Sequence, residues 1–190
     1  MTPQTAVAQQ PDETNGVDVN LLLDTIRDIE DDADNAKLQF RATNKWIDGG
    51  LNRSTIKEFD IAGQKDETRT QAFVLDADEP LPLAGVDSAP NPVEFILHAL
   101  VGCLTTTVVY HAAIHGIEIE AIDSEVEGDL DARGVLGLSE DVRKGFHHVR
   151  VKMRVKSDAS AERLKELAQY SAVYDTISKS LPVDLVVETY

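Results

Sequence analysis

One side chain in the sequence is a soft nucleophile. Cys103 is the single cysteine among 190 residues. A lone thiol rules out an internal disulfide framework and a cysteine-rich zinc site. It is either a small core residue or a reactive thiolate, and the second use requires a positive neighbour or a helix N-terminus. At 100° per residue, Ile96, Ala99, Leu100, Thr107 and Tyr110 share its helical face. None is a base or a cation, so an activating Arg or His has to come from elsewhere. Of the five histidines, His111 and His115 stand at i, i+4, the spacing of two metal ligands on one helix face. Ala112, Ala113 and Ile114 lie between them, so the H-E-x-x-H pattern is absent and no third ligand is identifiable from spacing. His147 and His148 are adjacent at the start of a strand and face opposite ways. The Gly134-x-x-Gly137 pair is too weak for a phosphate loop, and no serine lies in G-x-S-x-G. No metal and no cofactor are expected.

Cys103 must be positioned by the longest element of the chain. Phe95 to Ile117 carries no Asp, Glu, Lys or Arg. Asn91-Pro92-Val93-Glu94 opens it with the sequence form of a capping box, and Gly116 closes it after about His115. The run is long enough to span a bilayer. Its three histidines and three threonines, with Glu94, Glu118 and Glu120 on the flanks, instead predict a helix buried on nearly all sides within protein. Around it the chain predicts an amphipathic helix over Val19–Ile29 and strands at Leu38–Ala42, Asn52–Phe59 and Thr70–Leu75. Asp78–Pro92, with four prolines and Gly85, predicts an ordered irregular loop.

Two later strands carry opposite charges. Asp123, Glu125, Glu127 and Asp129 make one outer face acidic, and Arg150, Lys152, Arg154 and Lys156 make another basic. Antiparallel pairing of the two is expected, which accounts for the basic stripe without a ligand. Helices over Ser160–Tyr170 and Val173–Ser180 and a closing strand over Val183–Val187 complete an α+β chain with an antiparallel sheet.

Composition bounds the partners. Hydrophobic residues make up 42% and charged residues 27%, as in soluble globular proteins. With 34 acidic against 18 basic residues the formal net charge is −16. That charge repels phosphate backbones and anionic lipid, so no nucleic acid and no membrane is expected as a partner. Residues 1–16 are polar, lack a basic region followed by an apolar one, and are expected to be a disordered cytoplasmic tail rather than a secretory signal.

The stretches Asp78-Glu79-Pro80, Leu83-Ala84-Gly85, Pro90-Asn91-Pro92-Val93-Glu94 and Cys103-Leu104 together resemble the signature of the OsmC/Ohr family. The likeness continues through Gly128-Asp129-Leu130, Val149–Val155, Asp158-Ala159-Ser160-Ala161-Glu162 and Pro182-Val183, covering roughly residues 37–188. Residues 17–36 lie outside it as a helical extension, leaving 37–190 as the OsmC-like domain. The resemblance implies an intertwined homodimer, with antiparallel sheet wrapped around a long central helix from each subunit. It also implies reduction of organic hydroperoxides, a thiol peroxidase activity of oxidative-stress defence. In that chemistry a first cysteine becomes a sulfenic acid and a second resolves it. Cys103 matches the first. The second is replaced by Ser171, and the glutamate expected directly after Asn-Pro is replaced by Val93, with Glu94 one residue on. The resemblance further implies an activating arginine from an early strand, Arg53 first, with Arg41 and Arg69 as rivals. Two functions follow as expectations: a one-cysteine peroxidase served by an external thiol, or a non-catalytic protein holding a small apolar ligand.

Overall fold

The computed structural model describes residues 13–179 and 181–189. It is an α+β chain whose strands pair antiparallel, in two compact bodies. Among the described residues, one body holds 18–96 and the other holds 13–17 together with Leu97 onward.

The first described residues are a small hairpin, β1 (Glu13–Thr14) and β2 (Val17–Asp18), turned at Asn15 (φ 56°) and Gly16 (φ 75°). Two successive left-handed residues make the turn that suits the twist of a two-residue hairpin, and Asn-Gly is its usual sequence. Residues 13–16 had been expected within the tail; residues 1–12 of that expectation lie outside the described residues. The Asn15 side chain does more than turn the chain. It donates to the Ile117 carbonyl (2.9 Å) and accepts from the Ile119 amide (2.8 Å).

In the 18–96 body, α1 (Val19–Asp31) is capped by Asp18, whose carboxylate accepts the Leu21 amide at 2.9 Å. Leu22, Leu23, Ile26 and Ile29 are partly covered on one face and Val19 is fully buried. A 3-10 turn at Ala33–Ala36 follows. The next strands differ from the sequence reading. The expected Leu38–Ala42 strand ends early as β3 (Leu38–Phe40), and β4 (Thr43–Asp48) starts separately. The expected Asn52–Phe59 strand is broken at Lys57-Glu58 into β5 (Leu51–Ile56) and β6 (Phe59–Ile61). With β7 (Gln64–Lys65) and β8 (Phe73–Ala77), these strands form two sheets, β3-β6-β7 and β4-β5-β8, where one had been expected. Alternation marks each strand but not the change of partner at 57–58. Arg69 lies over Phe59 of one sheet (4.9 Å to the ring centroid) and Phe73 of the other (5.2 Å).

The Asp78–Pro90 loop is ordered around a buried carboxylate. Asp78 is 1% exposed and accepts from the Glu79 amide (2.8 Å), the Ser88 amide (3.0 Å) and the Ser88 hydroxyl (2.8 Å). Gly85 passes so close that a Cβ there would stand 1.7 Å from the Glu79 carbonyl oxygen. The loop delivers α2 (Pro92–Ile114). Asn91 and Glu94 form the expected reciprocal cap: Asn91 Oδ1 accepts the Val93 amide and Glu94 Oε2 accepts the Asn91 amide, each at 2.8 Å. At the far end Gly116 (φ 66°) completes a Schellman turn, with the Ile117 amide on the Ala112 carbonyl and the Gly116 amide on that of Ala113. Leu100, Leu104, Val108 and Ala112 form a buried stripe at i, i+4 spacing, but Ile96 and Tyr110 stay 43% and 46% exposed. Burial on nearly all sides, as expected from the uncharged run, is not achieved by one chain.

The charged strands pair as expected. β9 (Ala121–Asp129) runs antiparallel to β10 (His148–Lys156), with Arg150 opposite Glu127, Lys152 opposite Glu125 and Arg154 opposite Asp123. Arg150 bridges both Glu127 (3.2 Å) and Asp129 (2.5 Å), and Arg154 reaches Glu125 (3.2 Å). Between the strands lies the short α3 (Ala132–Val135). The chain then forms α4 (Ala161–Ala168), which buries Leu164 and Leu167, and α5 (Ala172–Ser178). The strand expected at Val183–Val187 does not form. A strand requires a ladder partner, and Val183, Leu185, Val186 and Val187 are about four-fifths exposed.

Two consequences are measurable. Lys152→Glu places like charges opposite Glu125, so urea unfolding should show a loss of up to about 1 kcal/mol in low salt that shrinks in 1 M NaCl. A loss unaffected by salt would contradict the pairing. For Asp78, the bonds from Ser88, foremost its amide, hold the carboxyl below the usual carboxylate range despite its burial. A depressed carboxylate stabilises the fold above its unfolded pKa, and that stability is lost as pH falls through the lower, folded value. Asp78→Asn should therefore lower the thermal midpoint at pH 7 by about 5 °C or more, and the gap to the parent should close in acid.

Candidate functional site

Cys103 sits three turns into α2, on a helix whose start is fixed by the Asn91–Glu94 cap. Its thiol is partly buried. One helical turn on, Thr107 brings its hydroxyl to 4.0 Å from the sulfur. A further turn on, His111 stacks on Tyr170 at 4.5 Å between ring centroids, with 22° between planes. This face of α2 therefore meets the junction between α4 and α5.

The junction supplies what the helix face lacks. Ser171 is the N-cap of α5, and its hydroxyl oxygen accepts the Tyr174 amide at 3.2 Å. The amides of Ala172 and Val173 begin the first turn and have no carbonyl partner inside the helix. The Thr107 hydroxyl is 4.0 Å from the Cys103 sulfur, and the Ser171 hydroxyl and both of these amides act on the charge of the thiol. Burial by itself pushes the thiol pKa up. The effects of Ser171, Val173, Thr107 and Ala172 outweigh it, so the thiol lies below its ordinary value. All four donors are neutral, whereas the sequence had pointed to a cation. The Ala172 and Val173 amides were missed because backbone donors leave no mark in residue type. The one available signal was Ser171, a cap residue opening a short helical run.

The other expected site residues have local partners. Arg53 on β5 lies opposite Asp76 on β8 and binds it with both prongs, Nε to Oδ1 at 2.6 Å and Nη2 to Oδ2 at 2.8 Å. Arg41 grips Asp60 in the same bidentate way, at 2.8 and 2.6 Å. Arg69 donates to the Lys57 carbonyl at 3.2 Å besides its two aromatic contacts. Glu94 is occupied by the helix cap, and Val93 contributes only its amide to that cap. In the i, i+4 histidine pair, His115 Nδ1 lies 2.8 Å from the His111 carbonyl oxygen. Burial foremost, then electrostatic repulsion from His115 and Arg163, lowers the His111 pKa and favours the neutral form of the ring stacked on Tyr170.

Comparisons with known proteins bear on the family and the fold. The family model for OsmC-like protein matches residues 85–187, a span that includes the end of the loop after Asp78, all of α2, both charged strands and α5. No curated protein matches the chain. An OsmC-like protein from Mycoplasma pneumoniae shares the fold with a TM-score of 0.56 at 15% identity, over 75% of this chain and 89% of that one. A protein from Psychrobacter arcticus, assigned to osmotic stress induction and detoxification response, shares it with a TM-score of 0.53 at 13% identity, over 71% of this chain and 85% of that one. With more than half of its length matched by the family model, and its fold shared with these structures, the chain belongs to the OsmC-like protein family.

Proposed function

We propose that the protein reduces organic hydroperoxides through Cys103 alone, at the expense of an external thiol. The observation that supports this most directly is the partly buried Cys103 thiol, 4.0 Å from the Thr107 hydroxyl and held below its ordinary pKa despite burial by the neutral polar groups around it, in a member of the OsmC-like family. Only the thiolate attacks a peroxide, and an unassisted thiol is a few per cent ionised at pH 7. In the first step the Cys103 thiolate bonds to the terminal peroxide oxygen and the O–O bond breaks. The alkoxide leaves and takes a proton from water as the alcohol. The sulfur, oxidised by two electrons, becomes a sulfenic acid. An external thiol then attacks that sulfur and releases water, leaving a mixed disulfide. A second external thiol frees Cys103 and departs as the oxidised disulfide. Ser171 stands where a second protein thiol would otherwise close the cycle, so the reductant has to enter from solution. The proposal places the protein in the cytoplasm, where small thiols and dithiol proteins are kept reduced.

We propose also that the working form is a homodimer in which a second copy covers α2. Ile96 and Tyr110 on this uncharged helix, and the apolar residues of 183–187, are large exposed surfaces in one chain.

The decisive measurement is intact-protein mass spectrometry after one equivalent of an alkyl hydroperoxide. A gain of one oxygen within seconds is expected, converting to a thiol adduct when a small thiol is present and absent in Cys103→Ser. An unmodified Cys103 after minutes overturns the peroxidase reading in favour of a non-catalytic protein that holds a small apolar ligand.

For the assembly, light scattering at micromolar concentration should give twice the 20.8 kDa chain mass. The buried interface should exceed about 2,000 Å², the range of obligate dimers. A monomeric mass would refute it.

A further inference from the structure

Where β5 gives way to β6, the 18–96 body forms a cavity of about 240 Å³. That is smaller than the ~300–1,000 Å³ pockets of drug-sized ligands and suits a small molecule. Lys57, Lys65 and Arg69 line it with positive charge, and Glu58, Asp66 and Glu67 with negative. Part of this charge is already matched. Lys65 binds Glu58 at 2.6 Å, and Asp66 accepts the Thr68 amide at 2.9 Å together with the Thr68 hydroxyl. Among the described residues Lys57, Glu67 and Arg69 are in no ion pair, so Glu67 and Arg69 line one cavity without pairing with each other.

Arg69 departs from the other arginines of its body. Arg27 holds Asp24, Arg41 holds Asp60 and Arg53 holds Asp76. Arg69 is partly buried, with its guanidinium over the rings of Phe59 (4.9 Å) and Phe73 (5.2 Å). Lys57 lies outside both strands, and its carbonyl accepts one Arg69 N–H at 3.2 Å. A guanidinium carries five N–H donors in a single plane. The rings occupy its faces and the Lys57 carbonyl one donor, which fixes the plane and leaves further in-plane donors on the cavity that Arg69 lines. A guanidinium oriented in advance is suited to bidentate capture of a carboxylate.

We propose that this cavity binds a small zwitterion of the α-amino acid class, with its carboxylate on the Arg69 fork and its ammonium on Glu67. The three lining carboxylates and a formal charge of −16 oppose a simple anion. A zwitterion has no net charge to be repelled. It also meets both of the lining charges, one of each sign, that stand apart from one another. The site does not involve Cys103, so it holds whether or not that thiol reacts with peroxides.

Saturation-transfer NMR on the full chain tests this with three probes that each carry one methyl group: L-alanine, acetate and methylammonium, at equal millimolar concentration. Transfer to the methyl protons is expected for L-alanine. It is expected to be much weaker for acetate and methylammonium, since each leaves one of the two charges unmet. Arg69→Lys keeps the positive charge but loses the fork, and should weaken L-alanine binding about tenfold, the effect of one lost charge-assisted hydrogen bond. Arg69 also touches rings of both sheets, so the second variant is Glu67→Gln, which alters an exposed side chain. It should weaken L-alanine binding by about the same factor and leave the thermal midpoint unchanged. No transfer to L-alanine overturns the proposal, as does acetate transfer equal to that of L-alanine. L-alanine binding unchanged in Glu67→Gln overturns it as well.

Discussion

The architecture depends on covering α2. Twenty-three helical residues without a charged side chain beyond Glu94 present apolar surface all round, and a helix of that kind is stable only when something apolar lies against each side. One chain buries a single stripe of it, Leu100 through Ala112. Both ends of the helix are fixed with unusual completeness, by the Asn91–Glu94 cap at the start and by the Gly116 turn at the finish. The irregular loop before it is itself anchored on the buried Asp78 carboxylate. A rigid helix with defined ends can hold one side chain at a constant depth. Cys103 gains from that rigidity, since a thiol has to meet its donors within a few tenths of an ångström for them to affect its charge.

The chemistry at Cys103 follows from where α5 begins. Positive charge is one way to favour a thiolate, but in a chain with a formal charge of −16 a free cation close to the sulfur would be drawn to the abundant carboxylates. The arginines show this directly: Arg53 is held by Asp76, Arg41 by Asp60 and Arg150 by Glu127 and Asp129. Backbone amides and hydroxyls are not diverted in that way, because their positions are set by the fold. The polar groups that act on the Cys103 thiol are therefore neutral ones whose positions the fold maintains.

Much of this was legible in residue types. The Asn-Pro-x-Glu cap, the Gly116 stop, the acidic and basic strands and the position of Cys103 each follow from a local rule of spacing or periodicity, and each appears in the structure. What was not legible depends on partners distant in sequence. The break at Lys57-Glu58 sends β5 and β6 to different sheets, and alternation is the same on both sides of it. Val183–Val187 has the composition of a strand, but a strand is half of a pair, and the pattern of one half does not reveal the absence of the other. At the site, Ser171 was noticed as a missing thiol. Its effect on the charge of the thiol, and that of the amides beside it, depends on tertiary placement that no residue pattern encodes.

The two bonds from the Asn15 side chain also bear on the order in which the protein assembles. They join residues 102 and 104 positions apart, and the whole 18–96 body intervenes between the strands of the hairpin and the segment they bind. Contacts of such sequence separation carry the largest loop-closure entropy, which is recovered only once most of the chain is already in place. During synthesis the hairpin leaves the ribosome early and has no binding partner until residue 119 has followed. The 18–96 body is complete in sequence before that and is free to fold first. The Asn15 contacts are thus among the last to form, and they close a body whose two stretches of chain were made far apart in time.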